Sequence, residues 1–597
     1  MNLQALISQA SMAARDLGTG QETTMLMLLE SLVLVNERTK DPGNNLSLFP
    51  SENTSDELRS FAATGGIELL ERRLGYQSSV RELLGASLIP TSLRQLFSIA
   101  REIVRGGLAL EAARSVIGAA IDGDRSAKHL PSQEATSFAI NLLAPKKGEV
   151  LYVPWEFSVP FALDAACKGV STEVEIRSQN LAVALRLTAE LGNLPLKVVI
   201  SDPLRGSSGQ LELIARKQFG VAAASVPIGR MRSDEILPPH VLEYLPEPTL
   251  YGEAIALAHV LTVVERRAVV IVPNSLLFRT AGREKVFKGK LVHSGLIETV
   301  LTVPPRAWTS SGAAFSLLVL DKQRNSKDVL FVQASSDDFI LENQAAPRRG
   351  VPVEIDWQRI IKIVAERSTT THSYLAMVDE ISKNEFNLEP GRYVQSGAIS
   401  LSSAFDDSVE MVSLEDIAEL IRPLSNRAQD GAEFECLEVG VADIDKDDTI
   451  RSPDKMVALS TKDKQRHLLR AGDILVVAKG SAGKVAMVTD DITQPLVANQ
   501  SFLVVRINPS SGIKPEALLR YLASPRVQAC MRGLVSGTAI PMLQVRDLAK
   551  LAVPKLASQE QDRICSTQQE LRRLSNELRT LEGAIQELKL RHWDQPK

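Results

Sequence analysis

Gly480-Ser481-Ala482-Gly483 sits inside LRAGDILVVAKGSAGKVAMV, between two apolar stretches. Glycines at that spacing make a tight strand connection; the same spacing can cradle a phosphate, but GxxG alone is weak support for a nucleotide site. Around it stand side chains suited to DNA. Lys479, Lys484 and Arg532 are candidates for phosphates, and Gln494, Asn499, Gln500, Ser536, Thr538, Gln544 and Arg546 for base edges, with Asn499 and Gln544 open to a scaffold role. Charge supports this locally. Residues 451–550 hold 15 Lys/Arg against 7 Asp/Glu, a net of +8, whereas residues 411–450 carry 3 against 11, a net of −8. Clustered cations are what phosphate backbones reward through counterion release, although a solvated face reads the same way.

Other chemistries find little support. None of the seven histidines lies beside a Ser, Cys or carboxylate motif that would build a nucleophilic triad, which disfavours a hydrolase. Cys167, Cys436, Cys530 and Cys565 form no CxxC pair and have no histidine at ligand spacing, so neither a metal site nor a disulfide framework is expected. No Walker A sequence or nuclease motif stands out. With 597 residues, 44% apolar and 23% charged, the chain should form roughly three or four soluble domains. No run approaches the ~18–20 apolar residues of a membrane span, and the N-terminus lacks a signal-peptide pattern. The expected compartment is a reducing cytoplasm, with no membrane partner.

The elements that must position these residues follow from periodicity. Residues 1–128 read as a helical bundle: LQALISQA, TTMLMLLESLVLV, GIELLERRL, SLRQLFSIAREIV and ALEAARSVIGAAI repeat apolar residues at helical spacing. From 129 to 330, short β-branched strands such as EVEI, LKVVISD, RAVVIVP, ETVLTVP and AFSLLVLDK alternate with helices. That pattern predicts a doubly wound, Rossmann-like α/β sheet whose ligands sit beyond the carboxyl ends of the strands. A connector over 331–412 leads to an α+β domain over 413–557 and a long helix over 558–597. In that helix Leu571, Leu574, Leu578, Leu581, Ile585 and Leu588 are spaced 3, 4, 3, 4, 3, a short heptad seam that predicts coiled-coil pairing with another helix.

HLPSQEATSFAINLL (129–143), the stretch from Arg267 to Arg324 and NLEPGRYV (387–394) together resemble the adenine-N6 DNA methyltransferase subunit of type I restriction-modification systems. GDILVVAKGSAGKVAMV, ANQSFLVVRI and SQEQDRI are similar to one target-recognition unit of the specificity subunit of the same systems. The resemblance implies a multidomain α/β protein in which a methyltransferase fold and a sequence reader share one chain. Its chemical motifs depart from the family. Where the family has an acidic, Gly-rich turn for S-adenosylmethionine, this chain has Val153-Pro154-Trp155-Glu156-Phe157-Ser158-Val159-Pro160, without glycine, and Trp155 or Phe157 could fill the pocket. Glycines let the backbone approach the cofactor closely; side chains block it. The resemblance places the ribose-binding acid at Glu175 and the acid near the adenine at Asp202, though both also read as solvated strand-end carboxylates.

Where the family has [N/D]PP[F/Y], whose amide and carbonyl accept from the target amine and whose ring stacks on the flipped base, this chain has Ser225-Val226-Pro227-Ile228. Leu237-Pro238-Pro239-His240 lacks the polar first residue. No catalytic residue or metal is therefore expected, nor a bound cofactor. The expected function is a DNA-binding component of a restriction-modification-like or phage-defence system, built on a degenerate methyltransferase platform. Its expected partners are double-stranded DNA, a second copy or a related methylation or specificity subunit joined through 571–588, and a separate nuclease or translocase. Two alternatives stay open: an active S-adenosylmethionine-dependent adenine-N6 methyltransferase, and a protein-binding assembly scaffold.

Overall fold

The computed structural model describes residues 2–17, 21–40, 66–78, 80–81, 83, 90–122, 131–205, 218–229, 239–245, 251–279, 282–308, 314–335, 337–341, 353–398, 410–423, 434–445, 447–450, 453–459, 466–480, 482–490, 494–536 and 542–590. They form two compact units: residues 1–368 with 375–388, and residues 369–374 with 389–597.

The first unit begins with helices Leu3–Arg15, Gln21–Lys40, Gly66–Leu74, Thr91–Arg105 and Ala109–Asp122. In Thr91–Arg105, Leu93, Leu96, Phe97, Ala100 and Ile103 recur every three to four residues and are all buried, the stripe that commits a surface helix to a core. These helices pack on one another and on the later helix Gln179–Gly192. One continuous core therefore runs from Leu29 and Phe97 to Val153, Val221 and Leu317 in the sheet.

That sheet contains β1 (Leu151–Pro154), β2 (Thr172–Ile176), β3 (Leu196–Ile200), β4 (Phe219–Ser225), β5 (Val264–Pro273), β6 (Ile297–Thr302), β7 (Phe315–Asp321) and β8 (Val329–Gln333). They lie in the order β3-β2-β1-β4-β5-β7-β6-β8. All neighbours are parallel except β7, which runs antiparallel to both β5 and β6. Strands covered on both faces are buried along nearly their whole length, and β1 and β7 are of this kind. Helix starts are set by side-chain caps: Ser132 accepts from the Ala135 N–H and Ser178 from that of Leu181. At the start of β1, Arg266 grips Glu149 through two bonds of 2.7 and 2.8 Å and so ties that end of the strand to β5. The winding direction reverses between β1 and β4, and the carboxyl ends of those two strands frame the crevice where such sheets take ligands.

The second unit holds a four-stranded sheet in which Phe502–Ile507 lies between Ala418–Ile421 and Ile474–Val477, with Val485–Met487 beyond. A three-stranded sheet centres on Phe434–Val439. Leu518, Leu519, Leu522, Met531 and Leu548 close one face of the larger sheet, and Ile421, Val439, Leu475 and Phe502 pack on the other. The helix Ser558–Leu590 is anchored chiefly through its first half. Gln561 donates to the carbonyls of Gly512 and Leu556, and the fully buried Gln568 to that of Asp447. Farther out Arg579 pairs with Asp445, but the seam residues Leu574, Leu578, Leu581, Ile585 and Leu588 are exposed by 44–62%.

Among the described residues no helix is long and apolar enough to cross a membrane, and no group of three or more His, Cys, Asp or Glu is placed to hold a metal.

Candidate nucleic-acid interface and the crevice of the sheet

The turn after β1 brings a bulky residue to a place built for glycine. Trp155 has φ 66° and ψ 152°, a region that is essentially glycine's alone, and its ring is 95% buried against the edge of His259, 5.7 Å between centroids. Its N–H donates to the Glu175 carbonyl at 3.0 Å. Phe157, the other candidate filler, is only half-buried. Ser158 then crosses the crevice: its hydroxyl accepts from the Ser225 N–H at 2.9 Å and donates to the Ser225 carbonyl at 3.4 Å. The tips of β1 and β4 are thereby joined, with Ser158, Ser225 and Val226 all buried. Of the remaining residues in the degenerate motif, Pro227 is half-buried and Ile228 is 48% exposed.

The nearby acids are engaged within the protein. The Tyr152 hydroxyl donates to Glu175 at 2.5 Å, lies 3.1 Å from Nε2 of His259, and Nδ1 of His259 lies 3.0 Å from Nε2 of His240. With Tyr152 as donor to the carboxylate, this becomes a relay in which His259 donates to the phenol and His240 to His259. Asp202 accepts the N–H groups of Leu204 and Arg205 at 2.9 and 3.3 Å, with Arg177 at 3.9 Å. Glu156 accepts the N–H groups of Arg177 and Ser178 at 2.9 and 3.1 Å and so fixes the turn after β2. Sequence reasoning missed Tyr152, Ser158 and His259. Nothing separates Tyr152 in LYVP from an ordinary core aromatic.

In the second unit, three segments converge beside the Gly-rich turn. The N–H groups of Ala478 and Lys479 both donate to the Ser501 carbonyl, at 2.6 and 3.2 Å, and the Leu543 N–H donates to the Ala478 carbonyl at 2.8 Å. Lys479 also pairs with Met542 across an isolated bridge. Lys479, Gln500 and Gln544 therefore stand on adjoining strands of backbone. Asn499 shapes its own segment, its Oδ1 accepting from the Ser501 N–H at 2.9 Å. Lys484, Gln500 and Arg546 are exposed, Lys479 and Gln544 half-buried. Thr538 lies outside the described residues, as does the side chain of Arg532.

The basic surplus is smaller at the surface than in the sequence. Arg506 is held by Asp473 in a nearly buried pair at 2.7 Å, Arg520 by Asp448 at 3.1 Å and Arg466 by Glu419 at 3.4 Å, while Arg546 lies 3.8 Å from Asp547. Burial pushes the Asp448 carboxyl up, against the pull of Arg520 and Lys484. Among the described residues, Lys479, Lys484, Arg526 and Lys550 make no salt bridge and remain available to an anion.

Comparison with known proteins agrees with this division. Residues 237–401 match the N-6 DNA methylase family, and residues 406–590 the type I restriction modification DNA specificity domain. The first match begins after β4, so the turn at Trp155 and the Ser225–Ile228 stretch lie outside it. Curated relatives include the type I restriction enzyme MpnII methylase subunit of Mycoplasma pneumoniae, 25% identical over 173 residues, 28% of this chain and 30% of the relative. The MjaVIII methylase subunit of Methanocaldococcus jannaschii is 24% identical over 134 residues, 22% of this chain and 23% of the relative. The matched stretches thus span less than a third of either relative. Similar solved structures include the type I methyltransferase subunit from Streptococcus thermophilus, with 15% identity, a TM-score of 0.48, and coverage of 66% of this chain and 100% of that one. The type IIG restriction endonuclease BpuSI is 12% identical with a TM-score of 0.46, covering 95% and 74%. The chain thus joins a stretch that matches the N-6 DNA methylase family to one that matches the type I specificity domain.

Proposed function

We propose that this chain is a DNA-binding component of a restriction-modification-like or phage-defence system, in which the methyltransferase fold is a platform and the specificity domain reads duplex DNA. The observation that carries the reading is the closed crevice. S-adenosylmethionine does not fit it: Trp155 stands where a close-approach glycine is needed, Ser158 bonds β1 to β4 across the opening, and Glu175 and Asp202 already accept from Tyr152 and from backbone N–H groups. At the motif beside β4 no side-chain amide or aromatic ring is present to orient and stack a flipped adenine. DNA contact is assigned to Lys479, Lys484, Gln500, Gln544 and Arg546 on the converging segments, with Arg532 and Thr538 from the same stretch of sequence.

The exposed seam from Leu574 to Leu588 supports assembly with a second copy or with a related methylation or specificity subunit, in an antiparallel pair. Cleavage or translocation belongs to a separate partner. The match to the N-6 DNA methylase family over 237–401 favours a second reading, an active adenine-N6 methyltransferase with a rebuilt cofactor turn.

One experiment separates the two. Incubated with labelled S-adenosylmethionine and mixed-sequence duplex, the full chain should transfer no methyl group above a heat-denatured control. Transfer above that control overturns the platform reading and establishes the second one.

A further inference from the structure

Gln528 lies in the helix Pro525–Gly533, one turn before Arg532, and its amide decides where the Gly-rich turn sits. Nε2 donates to the carbonyl of Gly483 and to that of Leu522, both at 2.7 Å. Leu522 belongs to the last turn of the helix Pro515–Ala523, so a single amide joins a helix end to the turn. Both N–H groups of the side chain are used inward. Gly483 is fixed from its other side as well, its N–H donating to the Val477 carbonyl at 2.8 Å, while the Val477 N–H donates to Lys484 at 2.7 Å. At Gly483 φ is +98°, and an added Cβ would lie 3.4 Å from Oε1 of Gln528 and 3.5 Å from Met531. The turn is thus clamped between a strand and one glutamine.

We propose that Gln528 is a positioning residue for DNA binding: by holding the Gly483 carbonyl it presents Lys484 and Lys479 to the phosphate backbone in one orientation. The proposal rests on the reading of this domain as a DNA reader. Lysine stems lose considerable freedom when they bind, and a turn fixed in advance lowers what must be ordered at that moment. Without the clamp the same charges remain, but on a turn with one wall missing.

The test uses Gln528→Met, which keeps the length of the side chain and removes its donors, in the full chain and in a Lys479→Ala/Lys484→Ala background. Affinity for a mixed-sequence duplex is measured by titration, and amide exchange at Gly483 and Lys484 by mass spectrometry. The expected result is a loss of about 5- to 20-fold in the otherwise wild-type chain, the scale of one to two hydrogen bonds, with faster exchange at both amides. In the double-alanine background the same substitution should change affinity by less than about twofold, because positioning without the positioned cations has nothing to act on. Equal losses in both backgrounds would overturn the proposal and mark Gln528 as a general support of the fold. Unchanged affinity in the first background would overturn it too. If the wild-type chain binds no duplex, the DNA reading itself fails and takes the proposal with it. Accelerated exchange in the variant would then show that the clamp holds the turn without a part in DNA binding.

Discussion

At the carboxyl ends of β1, β2 and β3, Glu175 accepts from Tyr152, Asp202 from two backbone N–H groups and Ser158 from Ser225, and the ring of Trp155 is buried against His259. Around Lys479 in the second unit the backbone is just as fully bonded, but the side chains of Lys484 and Gln500 point to solvent and Lys479 and Lys484 form no salt bridge among the described residues. A site that must receive a ligand keeps donors, acceptors or charges free while fixing the main chain that carries them. The crevice of the sheet has used its polar groups to hold itself closed. The segments around Lys479 have fixed their backbone and left these side chains open. Two sites of one chain thus differ in whether the polar groups near the ligand position are still available.

The largest expected effect on DNA binding tests the open side of this contrast. Lys479→Glu with Lys484→Glu should weaken duplex binding on the order of 100-fold at low salt, for all sequences alike, and lower the salt slope by about 2. Arg520→Ala should leave that slope unchanged, since its guanidinium is already paired with Asp448. Titrations across a salt series decide it, and a slope that drops equally in both variants would mean that pairing in the fold does not select the contacts.

The seam of the last helix bears on assembly instead of binding. Replacing Leu574, Leu578 and Leu581 with Glu should leave the thermal stability of the single chain within about 0.5 kcal/mol, because these residues are 48%, 44% and 62% exposed. In an assembled pair each would remove a buried leucine worth roughly 2–5 kcal/mol. Light scattering should then show a dimer for the wild type and a monomer for the variant. Unfolding of the variant would mean instead that the seam packs on its own domain.

How much of this was legible in the sequence depends on which interaction decides the outcome. The alternation of β-branched strands with helices announced the parallel sheet, because burial on both faces leaves unbroken runs such as VAAAS in β4. The missing glycines at 153–160 were visible because backbone freedom is written in residue type. Closure of the crevice by Ser158 was not, since a serine gives no sign of which strand end its hydroxyl will reach 67 residues away. The charge count over 451–550 overstated the open surface for the same reason. Arg506 finds Asp473 and Arg520 finds Asp448 only once the sheets are folded.

A smaller effect is expected at the far end of β1, where the closed unit can be loosened by acid. The Arg266 guanidinium hydrogen-bonded to Glu149 holds its carboxyl below the usual range. A group whose acid is stronger in the folded state stabilises the fold above its unfolded pKa and loses that contribution as pH falls through the folded value. Glu149→Gln should therefore cost about 1.5–3 kcal/mol at neutral pH, the range for a hydrogen bond to a charged group. The gap between variant and wild type should narrow below pH 4. Chemical denaturation at pH 7 and at pH 3.5 measures both. A pH-independent gap would assign the effect to packing.

The smallest effect is the most specific to the closed crevice. Trp155 combines a buried indole with a backbone conformation that suits glycine, so two opposed terms meet at one residue. Removing the ring costs about 3–5 kcal/mol, and this loss is common to Trp155→Ala and Trp155→Gly. Alanine keeps a Cβ at φ 66° and with it the strain, whereas glycine relieves it. At most helix, strand and loop positions the glycine variant is the less stable of such a pair. Here the order should invert, with Trp155→Gly more stable than Trp155→Ala by about 1 kcal/mol. Denaturant midpoints of the two variants give the sign directly, provided their m-values agree. The glycine variant also reopens the one place where a cofactor's methionine moiety could approach the backbone. If it alone gains affinity for S-adenosylmethionine, the ring of Trp155 is what excludes the cofactor. If neither variant binds, the Ser158 bridge between β1 and β4 keeps the crevice shut without it.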